Sequence, residues 1–185
     1  VSYHLTLSLR SKNRELERIA LMDPGLQIPN RRLFERRLES ELLRTRRGES
    51  AAYLMILDVD HFKQVNDTFG HETGDFLLAE ISALLRKEVG LEDIPARFGG
   101  DELGVIVRNA DDARILMLAE RLREKIARIR LPASATFHCS VSIGIAPAGD
   151  AASIHEWLRN ADHALYHVKR SGRNGVFLAE GIPVR

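Results

Sequence analysis

Two short acidic clusters are the residues of this chain best suited to chemistry. Asp58 and Asp60 close the run Ala52-Tyr-Leu-Met-Ile-Leu-Asp-Val-Asp60, and Asp101 and Glu102 follow Gly99-Gly100. The first run is apolar up to Asp58, which predicts a buried central strand. Strand ends are where sheets present functional groups. The second cluster lies between Ala96-Arg-Phe98 and Leu103-Gly-Val-Ile-Val107, a pattern that predicts a β-hairpin with the acids at its tip. With the hairpin beside the first strand, three or four carboxylates converge. Close carboxylates repel and raise one another's pKa unless a cation neutralises them. Oxygen-only ligands suit Mg²⁺, above all when substrate phosphates complete the shell, and that arrangement serves two-metal phosphoryl chemistry. Taken alone, either cluster reads more simply as a pair of ordinary turn acids.

The elements that must position these acids are legible on both sides of them. Residues 1–22 carry Leu5, Leu9, Leu16 and Ile19 at helical spacing, which predicts a short amphipathic helix, packed on its own domain or ending a coiled coil. Asp23-Pro24-Gly25 breaks it. The division expected is an N-terminal linker helix over 1–22 and a domain that carries both acidic clusters over 23–185. Asn30 can cap a helix running to about Arg47, with Leu33, Phe34, Leu38 and Leu42 on its apolar face. After Asp60 a loop is expected, then helices over 75–88, 111–130 and 153–170, a strand over 137–146 and a last short strand over 176–179. The order α, β, α, β-hairpin, α, β, α, β predicts an α/β sandwich, a mixed sheet covered by helices.

Composition narrows the partners. With 27 Lys plus Arg against 26 Asp plus Glu, the net charge of +1 argues against gripping a nucleic-acid polymer by bulk charge. A single cysteine, Cys139, excludes an internal disulfide framework and a cysteine-built zinc site, and fits a reducing cytoplasm. No apolar run approaches membrane-spanning length. Val1 in place of Met is read as a piece of a longer protein or a processed chain. His163 and His167 stand at i and i+4 on one helix as a metal pair would, but no third ligand accompanies them, and a wet helix face is the better reading.

Four collinear blocks resemble one family. Asp58-Val-Asp-His-Phe-Lys-Gln-Val-Asn-Asp-Thr-Phe-Gly-His-Glu-Thr-Gly-Asp75 is similar to the first signature of GGDEF domains, and Arg97-Phe-Gly-Gly-Asp-Glu-Leu103 to the one that names them. Ser142-Ile-Gly-Ile145 and Ala161-Asp-His-Ala-Leu-Tyr-His-Val-Lys-Arg-Ser-Gly-Arg-Asn174 resemble its two C-terminal blocks. The resemblance covers roughly residues 23 to 179. It implies a palm-like fold of the adenylyl cyclase and polymerase kind. The activity it implies is diguanylate cyclase: two GTP condensed into cyclic di-GMP, with release of pyrophosphate, at the interface of a homodimer. A catalytically silent GTP-binding regulatory domain is the alternative. The resemblance further implies a bacterial, cytoplasmic setting and attachment to an upstream sensor domain, at the cytoplasmic face of the inner membrane in one version of that expectation.

The resemblance also implies roles. Asp58, Asp101 and the Val59 carbonyl would bind Mg²⁺, with Mn²⁺ as a substitute and two ions per half-site. Glu102 would take a second metal, assist deprotonation of the ribose 3′-hydroxyl, or both. Asn66 and Asp75 match guanine-reading positions, and an acceptor-only carboxylate suits the N–H edge of guanine; helix capping is the plainer role for Asp75. Phe62 and Lys63 match a loop around the triphosphate, Gly100 a close backbone approach to substrate, and Lys169 and Arg173 partners of the β- and γ-phosphates. Gly172 reads as a helix C-cap that turns Arg173 back toward the site. Asp60 stands evenly between site residue and structural turn.

Three departures from the family pattern carry expectations of their own. The product-inhibition motif Arg-x-x-Asp appears as Gly90-Leu-Glu-Asp93, so that site is degenerate and feedback weak or absent. Leu103 replaces Phe at the end of the signature, a swap expected to leave the metal site intact if the side chain points into the core. Residues 25–27 depart from the pattern before the first helix, which bears on linker geometry more than on chemistry.

Overall fold

A computed structural model describes residues 20–134 and 136–179 of the chain. The expected helix over 1–22 lies almost wholly outside the described residues, Leu5, Leu9, Leu16 and Ile19 included. Helix α1 spans Arg31–Arg46, β1 Ala52–Val59, α2 Phe62–Phe69 and α3 His71–Glu88. The hairpin strands β2 and β3 span Ile94–Gly99 and Glu102–Arg108. Then come α4 at Asp112–Ile126, β4 at Val141–Pro147, α5 at Ile154–Arg170 and β5 at Val176–Leu178.

The sheet order is β2-β3-β1-β4-β5, antiparallel throughout except for the parallel pair β4–β5. The chain is therefore an α/β sandwich on a mixed sheet, as the element order predicted. Because side chains alternate along a strand, β1 serves two cores. Met55 and Leu57 join Leu77, Leu78, Ile81 and Leu85 of α3 and Ile115, Ala119 and Leu122 of α4. Leu54 and Ile56 join Phe34 and Leu38 of α1 and Trp157, Ala161 and Leu165 of α5. Burial on both faces is why this strand lacks the alternation of a half-wet antiparallel strand.

Three helices start on side-chain caps. Asn30 Oδ1 accepts from Leu33 N at 3.2 Å, Asp111 Oδ1 from Arg114 N at 2.8 Å and Ser153 Oγ from Glu156 N at 3.2 Å. Each satisfies one amide that the first helical turn leaves orphaned. Helix α5 lies unusually close to the sheet. A Cβ placed on Gly144 would stand 2.2 Å from Leu165 N and 2.4 Å from Ala161 O, so only glycine admits the helix at this depth.

Four expectations are corrected. The segment after Asp60 is helix α2 rather than a loop. Helix α3 begins at His71 instead of Asp75, so Asp75 lies inside the helix and does not cap it; the cap position belongs to Gly70, at φ 86°. Helix α4 ends at Ile126, short of residue 130. Strand β4 begins at Val141, because the ladder with β1 starts at the Val59–Val141 pair and residues before it have no strand neighbour. Among the described residues no helix is long and apolar enough to cross a membrane.

Candidate active site

The antiparallel register of β1 and β3 sets Asp58 directly opposite Glu102. Val59 N donates to Asp101 O at 3.4 Å, which folds the hairpin tip over the end of β1. Like charges directly opposite one another on a sheet are unfavourable, so this arrangement calls for a cation. The described chain supplies one: Lys169 Nζ from the last turn of α5 lies 2.9 Å from Asp58 Oδ2. Burial pushes the Asp58 carboxyl above its ordinary value, Asp101 and Asp60 push the same way, and Lys169 opposes them. Glu102 is also raised, first by desolvation, then by Asp58 and Asp162, with Lys169 again opposing.

The tip itself depends on glycine. Gly99 has φ 151° and Gly100 φ 53°, backbone conformations that side chains with a Cβ resist. Nothing lies within 4 Å of a Cβ built on either, so the requirement is conformational and the outer face of the turn stays open. Arg97 braces the turn from behind. Its Nε and Nη2 donate to Gly100 O at 3.2 and 2.9 Å, and its Nη1 donates to Asp23 Oδ2 at 3.1 Å. Asp23 Oδ1 in turn accepts from Gly25 N and Leu26 N, fixing the chain that enters the domain.

A second region lies where α2 meets α3. Asn66 Oδ1 is buried without a hydrogen-bond partner. A Cβ on Gly74 would fall 1.9 Å from that oxygen and 3.0 Å from the Phe62 ring, so Gly74 is what lets α3 cross α2 here. Asp75 follows it, exposed. An orphaned buried carbonyl is costly unless a ligand or water pairs with it, and a donor such as a base N–H would do so. Phe62 and Lys63 occupy the first turn of α2, behind His61 at φ 57° with no side-chain cap. The first amides of that helix point outward without intrahelical acceptors, a ready anion cradle. The Phe62 side chain packs on the core, while Lys63 is exposed.

Past α5, Ser171 is the C-cap and Gly172 follows at φ 109°. Arg173 N donates to Val168 O at 3.0 Å, which completes a Schellman closure. Gly172 is thus one residue beyond the cap position, and Arg173, at φ 64°, turns back out of the helix axis.

The structure brings Asp58, Glu102, the Asp101 backbone and Lys169 together. It places Asn66 and Asp75 on a neighbouring helix pair and Arg173 on the turn after α5. Full convergence of three or four carboxylates is corrected: among the described residues no three His, Cys, Asp or Glu side chains are grouped to hold a metal by themselves. Mutual repulsion accounts for the splay, with one ammonium to offset several acids. The donor set nonetheless fits a hard divalent cation. It is oxygen-only, it is strained by its own charge, and Lys169 already stands in for positive charge at Asp58.

Asp60 lies one residue past β1 and is 4% exposed, a buried acid apart from the open site. Asp162 is a residue that sequence reasoning missed. It is raised by desolvation, with His163, Lys169 and Arg31 opposing, and it lies near enough to Glu102 to raise it. Its place seven residues before Lys169 on one helix was the available signal, since that spacing sets both on one face. His163 and His167 are exposed, and His167 stacks on Phe177 at 4.0 Å between ring centroids. In the degenerate motif, Asp93 turns inward: its oxygens accept from Gly90 N at 2.7 Å and Arg108 N at 2.9 Å. Leu103 is buried in the core at 1% exposure.

The family model for the diguanylate cyclase GGDEF domain matches residues 20–175. MucR of Pseudomonas aeruginosa, a bifunctional diguanylate cyclase/cyclic di-GMP phosphodiesterase, is 40% identical over 177 residues, covering 95% of this chain and 26% of MucR. The probable diguanylate cyclase DgcC of Escherichia coli is 35% identical over 180 residues, covering 97% of this chain and 48% of DgcC. The chain thus spans about a quarter to a half of the length of these curated relatives. The solved coiled coil and GGDEF domain of DgcB from Caulobacter crescentus, in complex with c-di-GMP, superposes with a TM-score of 0.90 at 29% identity, covering 96% of this chain and 95% of that one. The chain belongs to the GGDEF family of diguanylate cyclase domains.

Proposed function

We propose that this chain condenses two GTP into cyclic di-GMP and pyrophosphate at an interface between two copies of itself. The observation that carries the reading is the Asp58–Glu102 cross-strand pair, repelling, partly desolvated and offset by a single lysine. Such a site is built to receive positive charge together with a substrate that brings phosphate.

Asp58, Asp101, Glu102 and the Val59 carbonyl would hold Mg²⁺, or Mn²⁺ in its place, two ions to each half-site. The metal, when bound, neutralises phosphate charge and lowers the pKa of the attacking hydroxyl. The remaining work belongs to side chains and backbone. Asn66 and Asp75 read the guanine edge; adenine would leave Asp75 facing an acceptor. The α2 amides at Phe62 and Lys63 and the side chains of Lys169 and Arg173 hold the triphosphate in line. Gly100 leaves the turn open to it. The 3′-oxygen of one GTP bonds to the α-phosphorus of the other as the bond to the bridging oxygen breaks. Pyrophosphate leaves with that electron pair, and Glu102 assists in taking the hydroxyl proton. A second such step closes the ring. Because each site holds one substrate, two copies must face one another.

Product formation from GTP and Mg²⁺ by wild type and Asp101→Ala tests this. Cyclic di-GMP from wild type alone is the expected result. A folded, concentrated wild type that binds GTP and forms no product would transfer the assignment to a silent regulatory domain.

A further inference from the structure

Asp60 accepts three hydrogen bonds that join distant parts of the chain. Ser142 Oγ donates to Oδ1 at 2.7 Å, Ser140 Oγ donates to Oδ2 at 2.7 Å, and Asn174 N donates to Oδ2 at 3.0 Å. Its own N–H donates to Ser140 O at 2.9 Å. The side chain is thus pinned between the end of β1, the entry to β4 and the turn after α5.

That turn needs pinning. Gly172, Arg173 and Asn174 follow one another at φ 109°, 64° and 45°. Two of the three carry a Cβ in a left-handed conformation, which persists only where surrounding contacts hold it. The Schellman bond to Val168 O fixes the turn on its helix side. On its far side Gly175 O accepts from Ile143 N at 2.9 Å and Asn174 Oδ1 accepts from Arg123 Nη1 at 3.1 Å. Asp60 supplies the bond in between, to the amide directly after Arg173. Two acids on one strand end thereby hold both cationic elements: Asp58 takes the Lys169 ammonium, and Asp60 takes the backbone that presents Arg173.

We propose that Asp60 is a positioning residue for the substrate's phosphates: its carboxylate locks the 172–174 turn so that Arg173 is presented to the triphosphate, and it ligates no metal. The inference rests on the reading of Arg173 as a phosphate partner. It also divides the Asp58-Val-Asp60 motif into two jobs. Asp58 faces Glu102 and a displaceable ammonium. Asp60 is buried, with both oxygens committed to fixed donors.

The test is nucleotide affinity, measured by calorimetry with GTP and with GMP, for wild type, Asp60→Asn, Arg173→Ala and the double variant. Asn keeps the size of the side chain but sets an NH₂ group against donors. Asp60→Asn should weaken GTP about tenfold, the worth of a bond to a charged acceptor, and leave GMP, which lacks the β- and γ-phosphates, unchanged. In the Arg173→Ala background it should cost nothing further. Equal weakening of GTP and GMP would make Asp60 a general structural residue and overturn the proposal. So would a shifted Mg²⁺ requirement for turnover matching that of Asp58→Asn. If Arg173→Ala alone leaves GTP affinity intact, the phosphate role of Arg173 fails first, and the proposal with it. Should Asp60→Asn not fold, Ser140→Ala loosens the same carboxylate from one side and should show the same GTP-over-GMP discrimination in weaker form; parity between the two nucleotides would again overturn it.

Discussion

Asp58 and Asp93 are both partly desolvated aspartates whose carboxyls burial pushes above their ordinary value, yet they are held in opposite ways. Asp93 is bound by two amides of its own neighbourhood, Gly90 N and Arg108 N, with Arg114 3.9 Å behind. Asp58 is bound by the tip of a long lysine side chain from another element and confronts Glu102 across the ladder. Backbone amides cannot leave without unfolding the turn; an ammonium on a flexible stem can. An acid satisfied by its own backbone is part of the scaffold, whereas an acid balanced by a side chain and opposed by another acid is available to a cation. The contrast separates the strand end that carries Asp58 and Glu102 from the turn that Asp93 holds together.

The largest expected effect sharpens that contrast. Asp58→Asn should lower the rate of cyclic di-GMP formation by about a thousandfold, the scale of losing one electrostatic partner of a transition state, with thermal stability preserved because a repulsive charge is gone. Chromatography of the product and a melting curve check both halves; retained turnover would break the comparison. Asp93→Asn should do the reverse. Facing an NH₂ group toward an amide N–H costs about 1–3 kcal/mol, read as a lower urea midpoint, while turnover per folded molecule stays at the wild-type level.

A smaller effect is pH dependence. A carboxyl raised in the folded state contributes stability that is complete at low pH, below its unfolded value, and fades as pH rises through its folded value. With Asp58, Glu102 and Asp93 all raised, the metal-free domain should lose stability as pH climbs from the ordinary carboxylate range through the raised one. Mg²⁺ should offset the share due to Asp58 and Glu102 but leave the share due to Asp93. Melting temperatures across that range, with chelator and with Mg²⁺, separate the two; a slope untouched by Mg²⁺ would count against the cation site. The smallest effect is the absence of one. Added cyclic di-GMP should leave the initial rate unchanged, because Asp93 is turned inward and Gly90 offers no guanidinium. Inhibition that Asp93→Asn relieves would return that turn to the list of ligand sites.

Much of this arrangement is legible in the amino-acid sequence. The apolar run from Ala52 to Leu57 required a strand buried on both faces, and the Gly99-Gly100 pair required a turn. Together these give the antiparallel neighbours that oppose Asp58 to Glu102. Helix α2 was hidden because it has eight residues, one buried side chain at Val65, and a left-handed His61 where a capping Ser or Asp would announce a start. The early start of α3 was hidden because Gly70 and Gly74 are poor helix formers, while Asp75 offers an ordinary capping side chain; Gly74 admits Asn66. Asp60 could not be resolved from sequence at all. Its partners lie 80, 82 and 114 positions away, and no local pattern encodes them.

The depth at which α5 sits on Gly144 has a consequence for reading genomes. Lys169 reaches Asp58 from a helix whose backbone touches the sheet at a position where a single methyl group finds no room. A relative carrying alanine there would keep every charged residue of the signature and still hold its lysine away from the acid at the strand end. An intact set of charged signature residues is therefore an incomplete certificate of activity: the glycine of the Ser142-Ile-Gly-Ile145 block carries no chemistry of its own, yet one added carbon atom there changes how closely the helix can approach the sheet.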